Sequence, residues 1–126
     1  MTIASASDPC PAGRRVLVVE DEMLIALLLE QMLADLGHHV VAVASQLDSA
    51  LRLARDTDAD LAILDVNLGR DVSFPVAQVL TERGLPFLFA SGYGSPNLAP
   101  PYQDAITLKK PFELKDLSKA LQRLCV

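Results

Sequence analysis

The apolar positions along the chain change period repeatedly, and each change marks an element. Val16-Leu-Val-Val19 is a continuous apolar run, the pattern of a strand covered on both faces. Ile25, Leu28, Leu29, Met32, Leu33 and Leu36 then recur at helical spacing, and Gly37 stops that helix. His39 to Ala44 predicts a second strand, and Gln46 to about Asp56 a second helix with Leu47, Ala50, Leu51 and Ala54 inward. Asp60 to Asp65 is a third strand, followed by a loop from Val66 to Asp71. A third helix runs from about Phe74 to Arg83, with Pro75 tolerated in its first turn and Gly84 at its end. Leu85 to Ala90 is a fourth strand, and Ala105 to Leu108 a brief fifth one before Lys109-Lys110-Pro111. Between them Pro96, Pro100 and Pro101 shorten or break any helix. A last helix carries Leu114, Leu117, Leu121 and Leu124 on one face.

Strands alternating with helices across short loops imply right-handed crossovers and helices on both faces of a parallel sheet. The expected fold is α/β: a single doubly wound parallel five-stranded sheet, flavodoxin-like in its order 2-1-3-4-5, with a shortened or irregular fourth helix. One domain is expected over residues 14–126, preceded by a flexible N-terminal tail over 1–13, rich in Ala, Ser, Asp and Pro. No repeat, second domain or linker is visible.

Composition narrows the function classes. The net charge of −5 argues against a nucleic-acid surface. No apolar run approaches the roughly 20 residues that span a bilayer, and the first dozen residues lack the features of a secretory signal. Cys10 and Cys125 lie near opposite ends without metal spacing and read as free thiols in a reducing cytosol in preference to a disulfide linking the termini, so the expected location is cytoplasmic.

The chemistry collects at the carboxyl ends of the strands, where open α/β sheets bind ligands. The first strand leaves Glu20 and Asp21 there, the third Asp65, the fourth Ser91 and the fifth Lys110, while the second leaves only Ala44 and Ser45. With the first and third strands adjacent, Asp21 and Asp65 face each other. Two such charges about 4 Å apart repel by roughly 4 kcal/mol at an effective dielectric near 20. The cluster should recruit a hard cation, and Mg2+ fits because it shares carboxylates, waters and phosphate oxygens. Lys110 supplies a compact charge for an anion, and the Ser91 hydroxyl, beside Gly92, can donate to a phosphoryl oxygen. A carboxylate nucleophile among these groups is equipment for an aspartyl phosphate.

In these residues the chain resembles the CheY-like receiver domain of a bacterial two-component response regulator. Glu20-Asp21 matches the family's acidic pair, Asp65 its phosphoacceptor, Ser91 its Ser/Thr switch residue and Lys110-Pro111 its Lys-Pro step. The resemblance implies that Asp21 and Asp65 ligate Mg2+ with the backbone carbonyl of Asn67, that Glu20 acts through water, and that the Lys110–Pro111 peptide is cis. Pro86-Phe-Leu-Phe-Ala-Ser-Gly-Tyr93 further resembles the Pro-Phe-x-Phe-Ala-Thr-Gly-Tyr signature of single-domain (FAT GUY) regulators found mainly in alphaproteobacteria, with Ser91 in place of threonine. Two departures stand out. The family's aromatic switch position is Thr107, and the proline-rich stretch after Tyr93 leaves little room for an ordinary fourth helix. Signalling is therefore expected through the Ser91 to Tyr102 loop, with Tyr93 as the moving aromatic.

Blander roles fit other residues. Glu22 starts the first helix, where an acid favours the positive end of the dipole. Lys109 is a solvated neighbour, pointing the other way along its strand, and the adjacent His38 and His39 face opposite sides and cannot jointly hold a metal. Met23, Leu24 and Leu27 widen the apolar face of the first helix, either as a broad buried face or as a partner-docking patch. Receivers resembling this chain dock histidine kinases or histidine phosphotransfer proteins near that helix.

The function expected is a stand-alone response regulator. It takes a phosphoryl group from a kinase or phosphotransfer protein on Asp65 and changes its affinity for a downstream protein, or serves as a phosphate sink in a relay. It is not expected to be an enzyme beyond Mg2+-dependent self-phosphorylation and autodephosphorylation. The chain ends one helix after Pro111, which leaves no attached output domain in this reading. Two other classes compete. A phosphorylation-independent pseudo-receiver would keep the fold without the chemistry. A phosphatase resembling the haloacid dehalogenase group would need an aspartate where Asn67 stands.

Overall fold

A computed structural model describes residues 12–92, 98 and 100–125. Apart from Ala12 and Gly13, the expected tail lies outside the described residues, as do Cys10 and Tyr93. The elements in chain order are β1 (Arg15–Val19), α1 (Met23–Asp35), β2 (His39–Ala44), α2 (Leu47–Asp56), β3 (Leu61–Asp65), β4 (Asn67–Leu68), β5 (Asp71–Val72), α3 (Phe74–Arg83), β6 (Phe87–Ser91), β7 (Thr107–Lys109) and α4 (Leu114–Leu124). Five strands form one parallel sheet in the order β2-β1-β3-β6-β7, which is the expected 2-1-3-4-5 arrangement. Between β6 and β7 no helix forms among the described residues. The chain there contains a cis Pro100–Pro101 bond, and the expected cis Lys110–Pro111 bond is present as well.

The sheet separates two apolar layers. Val16, Val18, Ile63 and Leu88 face Leu29 and Leu33 of α1 and Leu117 and Leu121 of α4. Leu17, Val19, Leu64 and Phe89 face Ala50 and Ala54 of α2 and Ala77 and Leu80 of α3. Burial on both sides explains why β1 and β3 are continuous apolar runs: β3 is buried at every residue. The outer strand β2 instead alternates between exposed and half-buried positions, and an extra residue, Val41, interrupts its pairing with β1 between Val40 and Ala42.

The loop expected after Asp65 is a small antiparallel hairpin, β4–β5, with Asn67 opposite Val72 and Leu68 opposite Asp71. Gly69 takes the first of its two turn positions at φ +62°, where a side chain would be strained. Gly84 closes α3 in the left-handed region at φ +70°, as its place in the sequence predicts.

Two expectations need correction. Leu28, which helical spacing places with Leu29 and Leu33, is 43% exposed, with Met23, Leu24 and Leu27 on the outer side as well. Its helix buries Ala26, Leu29 and Leu33 instead. Cys125 is disulfide-bonded, not a free thiol. The free-thiol expectation rested on compartment and sequence separation, and separation along a chain says nothing of distance in a fold. Among the described residues no helix is long and apolar enough to cross a membrane.

Candidate functional site

Three strands end at one crevice and each delivers a different group. Glu20 follows β1 directly, and its backbone N–H donates to the Ala44 carbonyl (2.9 Å), so the chain is held in place there. Its side chain turns inward and is 2% exposed, whereas its neighbour Asp21 is exposed. Asp65 is the last residue of β3 and is 5% exposed. Lys110 follows β7, its N–H donating to the Ser91 carbonyl (2.9 Å).

Side-chain bonds hold these groups together. The Lys110 ammonium donates to Glu20 Oε1 (2.8 Å) and to Asp65 Oδ2 (3.1 Å). The second Glu20 oxygen accepts from the Glu22 N–H (3.1 Å), and the second Asp65 oxygen from the Asn67 N–H (3.2 Å). Asp21 Oδ2 accepts from the Gly69 N–H (2.9 Å), which ties the acidic pair to the hairpin turn. The hairpin thus has a role in the site: it brings a backbone donor from the loop after Asp65 against the loop after β1.

Electrostatics follow from burial. Desolvation pushes the Glu20 carboxyl up to about 7, against the opposing hydrogen bond from Lys110. Burial by itself lowers the Lys110 ammonium, but the Glu20 hydrogen bond and the charges of Asp65 and Glu20 outweigh it and raise the group. Lys110 is therefore a fixed cation between two buried carboxylates.

Glu20, Asp21 and Asp65 each offer one oxygen within 4.8 Å of the others. Three carboxylates against the single Lys110 ammonium leave room for a divalent cation, and an all-oxygen donor set suits Mg2+. Of the residues singled out in the sequence, Glu20, Asp21, Asp65 and Lys110 converge directly, Asn67 joins them through its N–H, and Ser91 is joined to Lys110 through its backbone. Gly92 lies against the same lysine: a Cβ added there would sit 3.8 Å from its Cδ. Thr107, at the position usually aromatic, is exposed and donates its hydroxyl to the Ala105 carbonyl (3.2 Å).

One aromatic was not singled out from the sequence. Tyr102 stacks on Phe74 (centroids 5.5 Å apart, planes at 25°) and packs edge-on against Phe87 and Phe89. It joins the strand that carries Ser91 to the helix that follows the hairpin. The available signal was an aromatic isolated among turn residues after a Pro-Pro pair. Of the histidines, His38 is buried and its Nδ1 accepts from the Arg14 N–H (3.2 Å), while His39 is exposed.

Comparison with known proteins agrees with this architecture. Residues 16–122 match the family described as response regulator receiver domain. The solution structure of SdrG from Sphingomonas melonis Fr1 is similar with a TM-score of 0.83 at 40% identity, over 92% of this chain and 99% of that one. The BeF3-activated conformation of SdrG from Pseudomonas melonis Fr1 gives 0.77 at 40% identity, over 91% and 98%. Among curated proteins, the transcriptional regulatory protein PdtaR of Mycobacterium tuberculosis is 33% identical over 97% of this chain and 62% of its own length. The phyllosphere-induced regulator PhyR of Methylorubrum extorquens is 29% identical over 86% of this chain and 42% of its own. The chain thus spans less than two thirds of the length of these two curated relatives.

Proposed function

The chain belongs to the response regulator receiver domain family, and from that premise we propose that it is a phosphorylation switch with Asp65 as its acceptor. The observation that carries this reading is the meeting of three carboxylates with the Lys110 ammonium at the ends of three strands. The donor is a phosphohistidine on a histidine kinase or histidine phosphotransfer protein. A carboxylate oxygen of Asp65 attacks phosphorus, the P–N bond breaks, and its electron pair returns to the imidazole. Hydrolysis resets the switch when water attacks the acyl phosphate and inorganic phosphate leaves.

Held by Glu20, Asp21, Asp65 and the Asn67 carbonyl, Mg2+ would neutralise the charge that builds on the phosphoryl oxygens. Lys110, fixed between Glu20 and Asp65, exchanges these partners for a phosphoryl oxygen, and the Ser91 hydroxyl donates to another. Because Lys110 and Ser91 share a backbone bond, the loops after β6 and β7 respond as one unit. The exposed apolar face of α1, beside Glu20, receives the donor protein. Output is a changed affinity for a downstream protein in the bacterial cytoplasm, so the domain is a signalling module more than an enzyme. SdrG, which has a BeF3-activated conformation, supports the same behaviour here by likeness.

Beryllofluoride titration followed by amide NMR tests the reading. Shifts at Asp65, Ser91 and Lys110 are expected only with Mg2+ and are absent in Asp65→Asn. An unchanged spectrum in the wild type, with Mg2+ bound, would speak for a domain that keeps the fold without phosphate.

A further inference from the structure

Two of the three clustered carboxylates are gripped by one short hairpin. Asn67, at the start of β4, donates its N–H to Asp65 Oδ1 (3.2 Å), and Gly69, at the turn, donates its N–H to Asp21 Oδ2 (2.9 Å). The donors are two residues apart, yet their acceptors come from the ends of two different strands, β3 and β1.

A hairpin of this size has little of its own to stand on. Each strand is two residues long, and both residues of β5 are exposed. Two-stranded hairpins are marginal in water even when longer. At its base this one is anchored by the buried Leu68 and by the Ser73 N–H on the Val66 carbonyl (2.9 Å), and at its tip by the bond to Asp21. The tip bond is charge-assisted, and a backbone donor on Asp21 offsets part of its repulsion with Asp65. Gly69 presents that N–H from the left-handed region, at φ +62°. An added Cβ would meet nothing within 4 Å, so backbone conformation alone opposes a side chain there.

We infer that Gly69 is a positioning residue for the divalent cation. Its N–H holds Asp21 while that of Asn67 holds Asp65, so the β4–β5 hairpin presets the separation of the two carboxylates before a cation arrives. The coupling runs both ways, since the bond that orients Asp21 also orders the turn. A glycine that only closed the turn would need no acceptor on another strand. The inference rests on the proposed cation site but not on phosphoryl transfer.

The test is calorimetric titration of the full chain with Mg2+, with no phosphodonor present, on a cycle of Gly69→Val and Asp21→Ala. A β-branched residue is the least tolerant of positive φ, whereas asparagine adopts it readily. Gly69→Val should weaken Mg2+ binding about tenfold, and Gly69→Asn should stay within about threefold of wild type. In the Asp21→Ala background, Gly69→Val should change affinity by less than about twofold. Hydrogen exchange on the metal-free protein reads the converse. Asp21→Ala should speed exchange of the Gly69 amide about tenfold and leave that of the buried Leu88 unchanged. The proposal is overturned by Gly69→Val binding as wild type, by equal loss with and without Asp21, or by Gly69→Asn as damaging as Gly69→Val. A Gly69 amide indifferent to Asp21→Ala overturns it too. A wild type that binds no Mg2+ would overturn it together with the cation site. The expected coupling without labelling of Asp65 by acetyl phosphate would sustain it and overturn the phosphoryl reading alone.

Discussion

The two edges of the sheet are finished in opposite ways. At the β2 edge, Val41 and Val43 are exposed, and α1 beside them shows Met23, Leu24 and Leu27 while containing acids and no basic residue. At the β7 edge the exposed strand residues are Thr107 and Lys109, and α4 beside them shows a row of cations. The core behind both is equally tight: Leu29 and Leu33 under α1 and Leu117 and Leu121 under α4 are all buried. Folding therefore does not require the difference. It lies in the exposed residues alone, with the carboxylate site between the two surfaces.

The largest effect that would break this division of roles is on stability, within α1 itself. Leu33→Ala empties a buried position and should cost about 3 kcal/mol in urea denaturation, whereas Leu24→Ala, at a position 80% exposed, should stay within about 0.5 kcal/mol. Leu24→Ala should nonetheless slow phosphoryl uptake from a protein donor while leaving uptake from acetyl phosphate unchanged. Equal loss with both donors would remove α1 from donor docking.

At the other edge, two adjacent lysines make the same kind of contrast. Lys110→Ala strips the cation from two buried carboxylates and should cost about 2 kcal/mol, reduced from the fully buried case because the lysine side chain is 14% exposed. Lys109→Ala, at an exposed strand position, should stay within about 0.5 kcal/mol.

A smaller effect is expected from pH. The Glu20 carboxyl is raised from 4.5 to about 7, so the folded state holds its proton more tightly than the unfolded chain. The stability tied to that proton is fully present below pH 4.5 and is lost as pH rises through about 7. Without divalent cation, Tm should fall across this window, and Mg2+ should restore it most strongly above pH 7. A Tm that rises across the window, or is indifferent to Mg2+, would contradict the electrostatic account of the site.

How much of this was legible in the sequence depended on how many residues carried each signal. β1 and β3 were plain because burial on both faces makes every position apolar. The carboxyl ends then placed Glu20, Asp21, Asp65 and Lys110 without further information. Short or saturated patterns failed. A hairpin with two residues per strand has no measurable period, and only Gly69 at its turn betrays it. In α1, Met23 to Leu29 is apolar at every position, so periodicity could not tell that Leu28 lies outside the buried stripe. The apolar pattern puts the last strand at Ala105–Leu108, but it runs Thr107–Lys109, because the Ala105 N–H closes a turn onto the Tyr102 carbonyl (2.9 Å) and Lys109 pairs with Ser91. Tyr102 was invisible as a packing residue because its partners Phe74, Phe87 and Phe89 meet it only in the fold.

The central claim is that Asp65 accepts a phosphoryl group in a site completed by a divalent cation. The measurement that reaches it most directly is intact mass after incubation with acetyl phosphate, with and without Mg2+, on the wild type and on Asp65→Asn. The account predicts the gain of one phosphoryl group in the wild type with Mg2+ alone and no gain in the variant. Equal labelling of Asp65→Asn would contradict it, as would a wild type that binds Mg2+ but takes no phosphoryl from either acetyl phosphate or a phosphohistidine protein.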